Sequence, residues 1–309
     1  MSAPAHNDPA FMTIGEAVRH LQQTYPDVTH SSLRFLQRES LIDPVRTSGG
    51  HRLYRQSDLD RIRTIKAWQL QRLSLQEIRQ RLAERDAIAD PASISRNFLQ
   101  HAIAGNTAAA TKEILLADEI GLPLATLFDE VLRPALYEVG HRWAEGSLTV
   151  GQEHEISEMT RDLIGELTLR HAHRNVNLPS IVAACIPGEQ HDLGLRMVCG
   201  LLRQHGMQVH YLGANVPSTF LAETVHIRKP EMVLLSVTLA TRLPVLQQTI
   251  ETVAAIAREG YPRLIIAGGQ ASPAPWEGTQ QGLVEILTDE RLEILAGRIL
   301  ALGEAIGTS

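Results

Sequence analysis

The sequence contains no apolar run approaching the roughly 20 residues that span a bilayer. Its first residues, Met1-Ser-Ala-Pro-Ala-His6-Asn-Asp8, lack the basic region and apolar core of a secretory signal. Both absences point to a cytoplasmic protein with no membrane partner. Cysteine is scarce as well: only Cys185 and Cys199 occur, without a Cys-x-x-Cys. The first falls in a predicted strand and the second in a predicted helix, which argues for buried, reduced thiols and against a cysteine metal site. Nor is there an overall excess of positive charge, since 29 Lys+Arg face 35 Asp+Glu for a net −6. Taken whole, that balance argues against nucleic acid. The distribution argues the other way. Residues 1–85 hold 13 Lys+Arg and 9 Asp+Glu, a balance of +4, whereas the remainder holds 16 and 26, a balance of −10. A basic head on an acidic body is the asymmetry expected of a DNA-binding module attached to something else. The other bulk numbers, 44% hydrophobic and 21% charged over 309 residues, suit two or three globular domains.

The head has clear local signals. Thr13-Ile-Gly-Glu16 is a capping box ahead of a helix. Ser31-Ser32-Leu33-Arg34 gives a second hydroxyl start, and Leu41-Ile-Asp-Pro44 a turn. Arg46-Thr-Ser-Gly49-Gly50-His51-Arg52-Leu-Tyr54 reads as a basic hairpin with its turn at the glycines. A third helix is expected from Ser57 through Ile62, Ile65 and Trp68, with Trp68 on the apolar face, and a fourth from Leu73-Ser74-Leu75. This order is that of a winged helix-turn-helix.

These motifs, together with Leu33-Arg34, Asp58-Leu59 and Leu73-Ser74-Leu75-x-Glu77-Ile78, resemble the MerR family of regulators over roughly residues 12–82. Residues 22–28 form a longer connection than the family's tight turn. The resemblance implies operator DNA as partner and a homodimer at least, because such domains bind roughly two-fold sites. It places Thr13, Ser31, Ser32, Arg34, Arg46, Gly50, His51, Arg52 and Tyr54 at the DNA, with Ser31, Ser32 and Arg34 in the major groove and Arg46, His51, Arg52 and Tyr54 on phosphates. Tyr54 reads equally as a core aromatic beneath the wing. The cysteines of the family's metal sensors are missing, which argues against thiol-based metal sensing.

In the distal part, the apolar run Ser180-Ile-Val-Ala-Ala-Cys185-Ile186 ends in Glu189-Gln190-His191-Asp192-Leu193-Gly194. A buried strand followed by such a loop sets an imidazole at the carboxyl edge of a parallel sheet, where open α/β sheets bind ligands. A carboxylate two residues earlier can hold the second ring nitrogen, and the glycine admits a bulky group close to the backbone. Alone, these six residues also fit a solvated histidine at a strand–loop–helix junction. Two further strands change that reading. Met232-Val-Leu-Leu-Ser236-Val-Thr238 and Arg263-Leu-Ile-Ile-Ala-Gly268-Gly269 end in a Ser-x-Thr element and a glycine pair. Together the three resemble the Asp-x-His-x-x-Gly cobalamin-binding domains over roughly residues 178–309, with Glu189 where Asp is usual. The resemblance implies a Rossmann-like fold, His191 as lower axial cobalt ligand oriented by Glu189, and Asp192 beside it. It also implies a nucleotide-tail channel along Gly194, Ser236, Thr238, Gly268 and Gly269, with Tyr211, Gly213 and Asn215 at the rim.

Between head and sheet, residues 94–174 are helical in pattern, with breaks near Gly105, Gly121-Leu-Pro123 and Gly146 that suggest a four-helix bundle. The stretch Trp143-(nine residues)-Glu153-His154 also reads as bundle core plus a surface pair. With the cobalamin motifs downstream it resembles the light-sensing, adenosylcobalamin-dependent MerR regulators of the CarH/LitR group, in which these residues surround the upper ligand. Members of that group carry His directly after the Trp, a second axial ligand after photolysis; here Ala144 stands there, and His141 and His154 are the nearby imidazoles.

The expected architecture is therefore a winged helix-turn-helix over 1–85, a linker over 86–92, a helical bundle over 93–175 capping the cobalamin, and a Rossmann-like domain over 178–309. The expected function is a light-responsive repressor, not an enzyme, that binds adenosylcobalamin. It would form a tetramer in the dark and release DNA on photolysis. A light-independent sensor of methylcobalamin, another cobalamin form or another tetrapyrrole is the alternative. A cobalamin-dependent methyltransferase or mutase subunit is the more distant one, because no residues remain for a substrate domain and the basic wing would be unexplained.

Overall fold

A computed structural model of the chain describes residues 11–47, 49–88, 90–173, 178–256, 260–271, 282–287 and 291–307. The expected junctions at 86–92 and near 175 fall partly outside them. The chain forms two compact units, Met1–His141 and Arg142–Ser309, and each is described by itself.

The first unit begins with β1 (Met12–Thr13), α1 (Ile14–Gln22), α2 (His30–Arg38), β2 (Val45–Arg46), β3 (Arg52–Tyr54), α3 (Gln56–Leu70) and α4 (Leu75–Ile88). α1 starts at the expected capping box: the Thr13 hydroxyl accepts from the Glu16 N–H at 3.4 Å, and the Glu16 carboxylate accepts from the Thr13 N–H at 2.7 Å. α2 starts one residue before the expected Ser31, because Thr29 and Ser32 form their own reciprocal cap, with the Thr29 N–H donating to Ser32 Oγ at 2.6 Å and the Ser32 N–H to Thr29 Oγ1 at 3.1 Å. α3 likewise starts at Gln56 rather than Ser57, since Asp58 accepts from the Arg55 N–H at 2.8 Å. The strands form an antiparallel sheet of order β1-β3-β2. Its hairpin turns at Gly50, whose φ of +79° favours glycine. Leu21, Leu33, Leu36, Tyr54, Leu59, Ile62 and Ile65 fill the core beneath it, and Trp68 packs partly buried against that core.

The same unit continues through α5 (Pro91–Ile103), α6 (Thr107–Glu119), α7 (Leu124–Thr126), a π-helical stretch Leu127–Leu132, and α8 (Arg133–Ala144). The breaks fall where the sequence sets them, at Gly105, Gly121 and Gly146, all with positive φ. Between the breaks at Gly121 and Gly146 the helical run is interrupted by the π turn. Pro134 supplies the reason: in an α-helix its ring would strike the carbonyl four residues back. Widening the turn lets the Arg133 N–H reach the Phe128 carbonyl, five residues back. The buried Ser95 hydroxyl on α5 donates to the Val131 carbonyl in that stretch at 2.8 Å.

The second unit holds α9 (Val150–His171), β4 (Ser180–Cys185), α10 (Leu193–Gln204), β5 (Gln208–Gly213), α11 (Ser218–Arg228), β6 (Met232–Ser236), a 3₁₀ turn Ala240–Arg242, α12 (Leu243–Ile256), β7 (Leu264–Gly268), β8 (Val284–Leu287) and α13 (Leu292–Gly307). The five strands are parallel in the order β5-β4-β6-β7-β8. The pattern β4–β6–β7 had been legible; β8 had not. β4 and β6 are buried almost throughout, as continuous apolar strands covered on both faces must be. In this doubly wound order the chain reverses direction of winding between β4 and β6, the point at which ligands bind. α9 packs on α10, and α10 on α13. Among the described residues no helix is long and apolar enough to cross a membrane.

Candidate functional site

The three motif-bearing strands end side by side. Cys185 pairs with Ser236, Ser236 with Gly268, and Gly268 with Leu287 in register. The loops after β4 and β6 therefore face each other at the switch point, although Glu189 and Thr238 are 49 residues apart.

Glu189 joins them. It is fully buried. One carboxylate oxygen accepts from the His191 N–H at 2.9 Å and from ring Nδ1 of His191 at 2.5 Å. The other accepts from the backbone N–H of Thr238 at 2.8 Å and of Leu239 at 3.3 Å. The extra methylene of Glu over Asp gives the reach to serve both loops. Burial by itself would raise the pKa of this carboxyl, but the bonds from His191 and Thr238 outweigh it and hold the pKa at about 2. An ionised Glu189 fixes the proton on Nδ1 of His191 and leaves Nε2 with its lone pair. Nε2 has no hydrogen-bond partner among the described residues, and the side chain is 58% exposed. A half-open imidazole at the sheet edge, oriented by a buried carboxylate, can serve as a metal donor through Nε2. The bond from Glu189 raises the His191 pKa, against burial, and the charge of Glu153 adds to it.

Asp192 departs from expectation. The sequence reading puts it and Tyr211 among the cofactor contacts, yet the Asp192 carboxylate is buried and saturated by protein donors. It accepts from Arg161 Nη2 at 2.9 Å, Arg196 Nε at 2.7 Å and the Tyr211 hydroxyl at 2.7 Å. Arg196 also stacks over the Tyr211 ring at 4.7 Å. Burial works to raise the Asp192 pKa, and these three bonds overcome it and lower it. The cluster ties α9, the start of α10 and β5 to the residue next to His191. Arg196 was findable, four residues after Asp192 on the same helix face. Arg161, 31 residues before it, carried no signal.

The remaining edge residues divide. Gly194 has open space where a Cβ would be. Ser236 and Thr238 show no hydroxyl partner among the described residues, so both can bond to a ligand. Asn215 braces the loop instead of only rimming it, accepting from the Gly188 N–H at 2.7 Å and donating its own N–H to the Glu189 carbonyl at 2.8 Å. Gly213 has a φ of +97° and open space beside it. Gly268 would make ordinary contact with a Cβ. Gly269 could not: at φ +119° a Cβ would lie 2.1 Å from the Val237 carbonyl oxygen. Glycine at 269 is thus required by the sheet edge itself. Trp143, near the end of α8, is 49% exposed. Glu153 bonds Nδ1 of His154 at 2.7 Å and the Ser157 hydroxyl at 2.6 Å. Cys199 is buried and its thiol pushed up to about 12, as expected of an inert thiol.

In the head, Ser31, Arg34, Arg46, Gly50 and His51 are exposed. The hydroxyls of Thr13 and Ser32 are taken up in helix caps. Nε of Arg52 is held by Gln37 at 2.5 Å. Of the two readings of Tyr54, a phosphate contact and a core aromatic, the structure gives the second: it is fully buried in the head core, because its strand turns it inward under the wing.

Residues 12–85 match the family model described as MerR HTH family regulatory protein, and residues 94–168 and 179–291 match two models both described as B12 binding domain. The chain is 29% identical over 250 residues to the HTH-type transcriptional repressor CarH of Myxococcus xanthus, covering 76% of this chain and 82% of that protein. Over 60 residues it is 45% identical to the HTH-type transcriptional regulator MlrA of Escherichia coli K12, covering 19% of this chain and 23% of that one. Among solved structures it is similar to the monomethylamine corrinoid protein of Methanosarcina barkeri, with a TM-score of 0.56 and 17% identity over 68% of this chain and 98% of that chain. The last likeness shows the fold.

Proposed function

We infer that this chain, a cobalamin-binding transcriptional regulator of the MerR family and CarH type, is a cytoplasmic, light-responsive repressor whose ligand is adenosylcobalamin. The observation that carries the reading is His191, with Nδ1 clamped by Glu189 and Nε2 open at the switch point. In this reading Nε2 of His191 would hold the cobalt. Gly194 admits the corrin, and Ser236 and Thr238 bond to its buried tail. Trp143 covers the upper face, and Glu153 and His154 surround the adenosyl group. Adenosylcobalamin, when bound, supplies a Co–C bond that visible light breaks. The chain's part is to keep water from that bond in the dark and to change shape when Trp143 loses what it covers. A change in DNA affinity requires differential interaction with the two states. Ser31 and Arg34 read bases and Arg46 and His51 hold phosphates, from a homo-oligomer that is a tetramer in the dark. The protein has no catalytic role in this reading.

The test is size-exclusion chromatography with absorbance spectra, on protein loaded with adenosylcobalamin in darkness, before and after green light. The expected result is a dark tetramer that falls to a smaller species as the spectrum changes. A second reading, a light-independent cobalamin sensor, is favoured by Ala144 in the place of the group's usual His. It would be established by a loaded protein whose size ignores light.

Glu189→Gln supplies a further check. Gln keeps the size of the side chain but removes the charge that holds the ring and its tautomer. Cobalamin affinity should fall about 10–100-fold, the usual effect of losing a partner behind a metal ligand. Absorbance titration would read it, and unchanged affinity would remove Glu189 from the site.

A further inference from the structure

Arg242 ends the 3₁₀ turn after β6 and lies against the loop after β4. A Cβ built on Gly188 would sit 2.6 Å from its Nη1, 2.8 Å from Cζ and 3.2 Å from Nε, so the guanidinium lies against the bare backbone of Gly188, whose φ of +80° favours glycine. Nε is sealed from solvent and has no hydrogen-bond partner. Among the described residues no carboxylate pairs with this side chain. The acid next in the chain to Gly188 is Glu189, whose oxygens already serve His191, Thr238 and Leu239. A guanidinium is charged at every accessible pH, and a partly buried one is costly without an acceptor. Its surroundings are the ligand-binding edge itself, with the hydroxyls of Ser236 and Thr238 in the same loop system. An anion carried by a ligand at this edge would supply the acceptor that Nε lacks among the described residues.

A guanidinium fork matches a phosphate. Cobalamin carries one such group, the phosphodiester that joins its nucleotide base to the corrin. We propose that Arg242 binds this phosphodiester, so that the protein selects corrinoids with a complete nucleotide tail over tail-less ones. The proposal rests on the cobalamin reading above and adds a specificity-determining residue to it.

The experiment measures dark equilibrium binding of adenosylcobalamin and of adenosylcobinamide, which lacks phosphate and base, to the full-length protein and to Arg242→Gln and Arg242→Lys. Each is measured at low and high salt and with inorganic phosphate as competitor. Gln should weaken adenosylcobalamin binding about 10–100-fold, the worth of a charge-assisted hydrogen bond, while adenosylcobinamide binding stays within about 2-fold. Lys should recover part of the loss, because it keeps the charge without the fork. The salt dependence of adenosylcobalamin binding should flatten in the Gln variant. Competition by inorganic phosphate against adenosylcobalamin alone would agree. Equal losses for both corrinoids would make Arg242 a packing residue and overturn the proposal, as would no loss for either. Failure of the unmutated protein to bind either corrinoid would overturn the cobalamin reading as well. A thermal melt of each variant separates lost binding from lost folding.

Discussion

His191→Ala will cost the protein its cobalamin, or leave it so weakly held that loading fails at micromolar concentrations. The argument is the donor count at the sheet edge. Among the described residues at that edge Nε2 of His191 is both oriented and open, and in the proposed function its removal takes away the cobalt ligand itself, so the loss should exceed the roughly 10–100-fold expected for an outer partner. The fold should survive. Glu189 would lose the ring N–H but keep the backbone N–H groups of residues 191, 238 and 239. One lost hydrogen bond to a charged group is worth about 1.5–3 kcal/mol, and water entering the space of the half-exposed ring offsets part of that. Dark absorbance titration reads the first effect, and circular dichroism melting of the cofactor-free protein the second. Binding with unchanged affinity and spectrum would mean that the cobalt takes no ligand from this loop.

Asp192→Ala should show the opposite pattern, a loss of stability that precedes any loss of binding. Its buried carboxylate compensates two guanidinium groups and a phenol hydroxyl at once. Removing one partner of a buried ion pair costs about 3–5 kcal/mol, because the other is left uncompensated. The arginine side chains are 24% and 30% exposed, so water recovers part of this and about 2–3 kcal/mol is expected. That is roughly 5–10 °C in melting temperature for a unit of this size. Asp192→Asn, which keeps one acceptor, should fall between. A double-mutant cycle with Arg161→Ala should give coupling of at least about 0.5 kcal/mol. Additive effects would mean that α9 is held to the His191 loop by packing alone. If coupling is found, a shift of α9 at Glu153 has a rigid path to the residue beside His191.

Much of this was written in short-range spacing. The caps at Thr13/Glu16, Ser74/Glu77 and Thr149/Gln152 each join residues three apart, and each forms where the pattern appears. The helix breaks at Gly105, Gly121 and Gly146 follow from backbone angles that glycine adopts readily. α2 starts at the Thr29–Ser32 cap rather than at Ser31, a choice that only the geometry makes. The π turn was missed because Pro134 announces a disturbance without saying how the helix absorbs it. Tyr54 stood undecided, since a two-residue alternation in so short a strand does not say which face is covered.

By itself, then, the sequence determined which chemistry is present: a basic winged head, a helical middle, and three strand ends carrying Glu189 and His191, Ser236 and Thr238, and the glycine pair. Each of those signals is local, a matter of residues within one turn or one strand end. Only the tertiary structure decided how that chemistry is wired. Glu189 reaches Thr238 across 49 residues, Asp192 serves Arg161 across 31, and Arg242 lies over Gly188. None of these has a sequence spacing to betray it, because a parallel sheet sets its loops side by side through the order of its strands, and that order is fixed by the packing of whole helices and strands.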